Sequence, residues 1–268
     1  FVKTFHWGVE GAAAATIISH CVACILNGIY VFRFNKNVKL RKSDFNPDKG
    51  TIFYQIRLGI PVSLQFTVTS VGSMCLQSVV NSFGSAVIAG FTAAGRVEGL
   101  TNIPMSGLGV ATQTFVGQNY GAGLIGRIRS GVRAANTLAL VSSIVIAAVM
   151  FLFGREITML FISSEDPLQA IAAGETAYRY LCAMSFSLPV LYLLYVYQSA
   201  LQGLGNTVVP MISGMVEFVL RVSVSMLVGF LALENGIFLA EVGAWFGAAL
   251  MLCIAYYGDM RRRFPVTK

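Results

Sequence analysis

The sequence predicts an all-α polytopic membrane protein with about seven transmembrane helices. Of its 268 residues, 56% are hydrophobic and only 12% are charged, whereas about a quarter of a soluble domain is charged. The apolar stretches are continuous, with Gly, Ala and Ser interleaved, and do not alternate with polar residues as barrel strands do. These observations exclude a soluble domain and favour a bundle of helices in a bilayer.

Seven stretches reach the roughly 20 apolar residues that a helix needs to cross a bilayer. They are residues 8–32, 52–80, 86–116, 132–153, 176–201, 207–232 and 237–257. Four contain a proline, namely Pro61, Pro104, Pro189 and Pro210. Each proline removes one backbone donor. Either packing accommodates the resulting kinks or the bends shape a cavity, and the sequence leaves both open.

The basic residues between these stretches predict the orientation. They concentrate in residues 33–50, around 118–131 and at the C-terminus. Because Lys and Arg accumulate on the cytoplasmic side of membrane proteins, we expect these segments to be cytoplasmic and the N-terminus to lie outside. The same distribution accounts for the net charge of +7, so no nucleic-acid partner is predicted.

Residues 33–50 form the longest and most charged connection. Their turn-rich end, Asn46-Pro47-Asp48-Lys49-Gly50, favours a linker between two helical bundles. The chain starts with Phe1 and without a signal-peptide pattern, so we expect it to be a piece of a longer protein.

Motifs for enzyme chemistry are missing from the sequence. The five cysteines lie in apolar stretches, and the single CxxC, Cys21 to Cys24, has no second pair. The two histidines, His6 and His20, are isolated. We therefore predict no metal site, no cofactor and no enzymatic activity.

Arg96 and Glu98 stand out because they lie in an apolar stretch, where a charge near mid-bilayer costs roughly 2.5–3.5 kcal/mol. A two-residue step turns a helix by about 200°, so they point to opposite sides. Glu98 shares a face with Asn102, and we expect it to look into a polar interior while Arg96 finds a partner on another helix. Gly95 and Gly99 form a GxxxG pattern, which predicts close approach of a second helix there.

A second charged pair, Glu217 and Arg221, lies near the middle of the sixth stretch. The four-residue spacing with the acid first favours an ion pair on one helix. The pair is either a structural link within the bundle or a proton or cation relay.

Polar and aromatic residues recur at helical spacing within several stretches and predict a cavity. Aromatic and thioether side chains suit hydrophobic cations. With Asn102, the candidate cavity residues are Gln65, Thr69, Tyr195, Gln198, Met215 and Phe218.

Several segments closely resemble the bacterial MATE (multidrug and toxic compound extrusion) transporters. They are residues 7–19, 92–98, 104–109, 114–123 and 201–207. The resemblance implies a transporter of twelve helices in two six-helix lobes. Residues 1–32 would hold the last helix of the N-terminal lobe, 33–50 the cytoplasmic inter-lobe linker, and 51–268 the C-terminal six-helix lobe. The principal partner would be the missing N-terminal lobe, with membrane lipid around both.

The resemblance also implies export of drugs or other amphipathic organic cations across the bacterial inner membrane, in exchange for H⁺ or Na⁺. The Na⁺-coupled branch carries acids on helices that correspond to residues 52–80 and 176–201, and neither stretch has one. The embedded acids are Glu98 and Glu217, with Glu10 and Glu241 expected nearer the outer face. We expect Glu98 to be the proton carrier, since only Asn102 shares its face.

A flippase for lipid-linked pyrophosphate precursors, from the same superfamily, is the alternative. Such a cargo needs a cavity rich in Arg and Lys, yet only Arg96 and Arg221 lie in the middle of the apolar stretches. The sequence therefore favours the exporter.

Overall fold

The computed structural model describes residues 7–34, 46, 48–162, 166–231 and 236–264. The chain divides into two compact units, Phe1–Tyr54 and Gln55–Lys268. The first contains α1 (Gly8–Phe34) and the first residues of α2 (Lys49–Val80). Most of the predicted linker, 33–50, lies outside the described residues, so the division into lobes at that linker stays a prediction.

The second unit contains the rest of α2 and five further helices. These are α3 (Ser85–Gly121), α4 (Ile125–Met159), α5 (Pro167–Gly203), α6 (Val208–Phe230) and α7 (Ile237–Arg263). Every regular element in the described residues is a helix, which confirms the all-α fold. Six of the helices are long and apolar enough to cross a membrane. The exception is α3, whose length suffices but whose polar and charged residues lower its hydropathy.

Several helices extend beyond the predicted apolar stretches, most of all at the starts of α4 and α5. The connection expected at 118–131 is a short turn, because α3 runs to Gly121 and α4 begins at Ile125. Gly123 has a φ of 71° in this turn, a conformation that glycine adopts without steric cost. The fifth helix begins at Pro167, well before residue 176, because the Asp166 side chain accepts a hydrogen bond from the Leu168 amide at 3.0 Å and caps it.

Helix α5 organises the second unit, since it packs against α3, α4, α6 and α7. It runs parallel to α3: Gly90 lies against Ala173 at one end, and Gly203 lies against Gln113 at the other. A Cβ atom on Gly90 would meet the Ala173 carbonyl oxygen at 2.5 Å. The absence of a side chain at Gly90 is therefore what allows the two backbones to approach.

The predicted approach at Gly95 and Gly99 is not found in the described residues. A Cβ atom at either position would have nothing within 4 Å, and both glycines are exposed. A close helix contact at a glycine does exist on α3. Gly90 makes it with α5, and it lies on the face of α3 opposite to Gly95 and Gly99.

Three of the four prolines, Pro61, Pro104 and Pro189, lie inside continuous helices. Pro210 lies in the first turn of α6, where the missing donor would have no intrahelical partner. Near Pro104, the Tyr192 hydroxyl donates to the carbonyl oxygen of Thr101 at 3.0 Å. A side chain of α5 thus donates a hydrogen bond to a backbone carbonyl of α3 beside the proline.

Replacement of Gly90 by alanine tests the contact between α3 and α5. Because the new methyl group would overlap backbone atoms that cannot move alone, we expect a loss of about 1–3 kcal/mol in stability. Thermal unfolding of the detergent-purified full-length protein measures it. Gly107→Ala, where a Cβ meets nothing within 4 Å, is the control on the same helix; equal melting of both variants would contradict the packing.

Candidate functional site

A polar cavity of about 200 Å³ lies between the helices of the second unit. Three carboxyl groups and one guanidinium line it: those of Glu98, Glu217, Glu241 and Arg221. Five of the predicted cavity residues also line it, namely Gln65, Thr69, Asn102, Tyr195 and Gln198. Residues from α2, α3, α5, α6 and α7 thus converge on one space, in which carboxylates outnumber the single guanidinium.

Glu217 and Arg221 form the predicted ion pair on α6. The Nη2 atom of Arg221 lies 2.6 Å from Oε1 of Glu217. Arg221 is only 4% exposed, and its Nη1 atom also donates to the Thr69 carbonyl oxygen and the Ser73 hydroxyl, at 3.3 and 3.4 Å. The guanidinium therefore ties α6 to α2, while its Nε atom is buried without a hydrogen-bond partner.

Glu98 and Glu241 meet through a tyrosine of α5. The Tyr180 hydroxyl lies 3.1 Å from Oε2 of Glu98 and also contacts Oε2 of Glu241. Tyr180 is 2% exposed and Glu241 8%. A phenol has one proton to donate, so both contacts are hydrogen bonds only when one of the two acids is itself protonated. The arrangement is suited to hold one exchangeable proton between α3 and α7.

This arrangement corrects the prediction that Asn102 is the only polar partner of Glu98, because the Tyr180 hydroxyl contacts Glu98 as well. Glu241 is in the second turn of α7 and points inward. One signal was available: Glu241 shares helical spacing with Ala244, Trp245 and Ala248, all buried. Nothing in the sequence distinguished Tyr180 from a tyrosine at the membrane interface.

Gln65 and Thr69 of α2 line the cavity and have further polar contacts. The Gln202 amide of α5 donates to Oε1 of Gln65 on α2 at 3.4 Å. The hydroxyl of Thr69 turns back to the carbonyl oxygens of its own helix, at 3.1 Å to Gln65 and Phe66. Thr69 therefore offers the cavity an oxygen acceptor rather than a donor.

Three predicted site residues are placed elsewhere. Met215 is 40% exposed and does not line the cavity. Phe218 packs beside Gly72 of α2 and does not line the cavity either. Arg96 is exposed and forms no ion pair within the described part of the chain. It lies on the opposite side of α3 from Glu98, as the two-residue step predicts.

The family model MatE matches residues 61–227, which is most of the second unit. The chain is 29% identical over 222 residues to the probable multidrug resistance protein YpnP of Bacillus subtilis, covering 81% of this chain and 47% of the relative. It is 28% identical over 240 residues to the probable multidrug resistance protein NorM of Thermotoga maritima, covering 90% and 49%. The chain thus spans about half the length of these relatives.

Solved transporter structures show the same fold. A transporter of the MOP superfamily from Pyrococcus furiosus superimposes with a TM-score of 0.87 over 97% of this chain and 58% of its own, at 24% identity. The family model and these relatives identify the family, and the solved structure shows its multi-helix fold. The chain belongs to the MatE family.

Proposed function

We propose that this chain is part of a secondary active transporter that exports drugs or other amphipathic organic cations in exchange for protons, with Na⁺ as the alternative coupling ion. The excess of carboxylates in the cavity supports it most directly: Glu98, Glu217 and Glu241 share the space with Arg221 alone. Inside a membrane bundle, where charges are screened less than in water, such an excess attracts cations and disfavours anions.

The cargo that fits this cavity has a positive charge and apolar groups. Glu98 is the best candidate to meet the charge, because it lines the cavity and is free of an ion pair within the described residues. The ring of Tyr195 also lines the cavity and offers a cation–π contact worth about 0.5–2 kcal/mol.

The coupling step rests on the Glu98–Tyr180–Glu241 arrangement. When Glu98 is ionised it attracts the cargo cation, and when it takes up a proton that attraction is lost. Glu241 is a second acceptor for the incoming proton, and Tyr180 connects it to Glu98 because the phenol contacts both carboxyl groups. Proton and cargo therefore compete for one site, which is the basis of exchange.

The Na⁺ alternative has less support from the described residues. On the fifth helix, the acid nearest to residues 176–201, where the Na⁺-coupled branch carries one, is Glu175. It is half-buried and paired with Arg155 at 3.1 Å and Arg179 at 3.3 Å. It does not line the cavity. A flippase for pyrophosphate-linked lipids is also less supported, because one paired arginine offers little to a doubly anionic cargo.

The orientation is part of the proposal. The last turn of α7 carries Arg261, Arg262 and Arg263, and the start of α4 carries Arg127 and Arg129. By the positive-inside rule these ends face the cytoplasm.

Glu98→Gln in the full-length protein tests the coupling. The amide keeps the volume of the side chain, so we expect normal abundance but efflux at the background rate when a pH gradient is imposed on proteoliposomes. The control is Glu175→Gln, which removes an acid outside the cavity and should leave efflux unchanged.

Proton-driven efflux at the normal rate in Glu98→Gln would remove Glu98 from the mechanism. If an imposed Na⁺ gradient drives efflux by the unaltered protein and a pH gradient does not, the coupling ion is Na⁺ and the proton proposal is wrong.

Glu217→Gln should act on stability more than on coupling. It leaves the buried Arg221 without its counter-charge, which costs about 3–5 kcal/mol when a buried pair is broken. We expect reduced abundance and a lower melting temperature, partly restored by the additional change Arg221→Met. Full stability of Glu217→Gln alone would show that the pair does not hold α6 in place.

Substrate contact is tested by Tyr195→Ala and Met215→Ala. Tyr195 lines the cavity and Met215 does not, so only the tyrosine variant should change the relative resistance that cells gain to different cationic compounds. Membrane abundance of both variants is measured as the control. An altered profile for Met215→Ala with an unaltered one for Tyr195→Ala would place the substrate on the other face of α6.

A further inference from the structure

A second cavity, of about 220 Å³, lies at the end of the bundle where α4 begins and α7 ends. We call it the α4–α7 groove, lined by Arg129, Val132, Arg133, Asn136, Tyr256, Tyr257, Met260 and Arg261. Its lining holds three guanidinium groups and no carboxylate. The groove is therefore positively charged. The first cavity, which Glu98, Glu217 and Glu241 line and which we call the acid-lined cavity, has an excess of acidic groups instead.

The arginines of the groove are available to a ligand. Within the described residues, neither Arg133 nor Arg261 forms an ion pair, and both are exposed. Arg129 donates through Nη2 to the Phe264 carbonyl oxygen at 2.8 Å. That bond joins the start of α4 to the end of α7 and leaves the other donors of Arg129 free for an anion.

Tyr256 and Tyr257 of α7 line the groove, and Tyr197 of α5 packs against both of them. Tyr197 accepts a hydrogen bond from the Asn136 amide at 3.1 Å. Its ring lies 5.5 Å from that of Tyr256 and 6.1 Å from that of Tyr257. Tyrosine rings with a polar tip are typical of the depth at which lipid headgroups lie.

The groove continues into exposed apolar surface on both helices. On α4 the stripe through Arg129, Arg133 and Asn136 passes to Leu140 and Ile144, which are 37% and 59% exposed. These residues share one face, because they follow each other at steps of three or four.

On α7 the matching stripe runs from Arg261 through Tyr257 to Ile254, Leu250 and Phe246. The three apolar side chains are 65%, 65% and 46% exposed, and the steps are again three or four residues. Both walls thus carry basic or polar groups at one end and apolar side chains towards the middle of the membrane.

We propose that the α4–α7 groove binds one anionic phospholipid, with its headgroup phosphate on Arg133 and Arg261 and its acyl chains along the apolar stripes. Arginine forks bind phosphate oxygens in pairs, and basic pockets between transmembrane helices bind anionic headgroups. Free phosphate offers the same oxygens but makes no use of the apolar stripes. The proposal does not depend on the coupling ion or cargo of the transporter.

Native mass spectrometry of the purified full-length protein tests this, with dioleoylphosphatidylglycerol and dioleoylphosphatidylcholine titrated in parallel. The groove variant is Arg133→Gln with Arg261→Gln. The control is Arg127→Gln with Arg262→Gln, which removes the same charge from neighbouring positions that do not line the groove. We expect the groove variant to bind phosphatidylglycerol about 30-fold more weakly, roughly fivefold for each arginine.

The control variant should stay close to the unaltered protein, and binding of phosphatidylcholine should not change in either. If both variants bound phosphatidylglycerol equally weakly, the effect would come from the charge of the surface as a whole and not from the groove, and the proposal would be overturned. Unchanged affinity in the groove variant would overturn it as well. If inorganic phosphate displaces phosphatidylglycerol from the unaltered protein, the groove is a site for free phosphate and the lipid assignment is wrong.

Discussion

Burial of a single guanidinium is the interaction on which the acid-lined cavity depends. Arg221 is 4% exposed, in a bundle where an unpaired charge costs several kcal/mol. Its donors reach Glu217 on its own helix and Thr69 and Ser73 on α2. These partners hold α6 against α2 and keep polar groups turned into the bundle. The guanidinium and the three residues that bind it all line the cavity.

The contact between α3 and α5 brings Tyr180 of α5 close to Glu98 of α3. Gly90 brings the two backbones together, and the Tyr192 hydroxyl binds backbone of α3 at Thr101. With the helices at this separation, Tyr180 reaches both Glu98 and Glu241. A proton-sharing arrangement of three side chains from three helices therefore rests on packing that involves no charge at all.

The two cavities divide the second unit by charge. The acid-lined cavity lies among five helices and suits a cation, whereas the α4–α7 groove is basic and opens beside apolar surface. Opposite charges at separate places suit different ligands, a cation in the first cavity and an anion in the second. Because the two cavities share no lining residue, each can be altered by mutation without changing the lining of the other.

The sequence by itself determined the features that depend on neighbours along one helix. These include the helical spans, the opposite directions of Arg96 and Glu98, and the Glu217–Arg221 pair, because a helix sets which residues share a face. Gln65, Thr69, Asn102, Tyr195 and Gln198 were found for the same reason, since polar residues in apolar spans face inward. Only the tertiary structure decided how each helix is rotated against the others. That rotation excluded Met215 and Phe218 from the cavity, moved the close helix contact from Gly95 to Gly90, and brought Glu241 to Tyr180. Those contacts join residues at least 60 positions apart along the chain, and no local pattern records such distances.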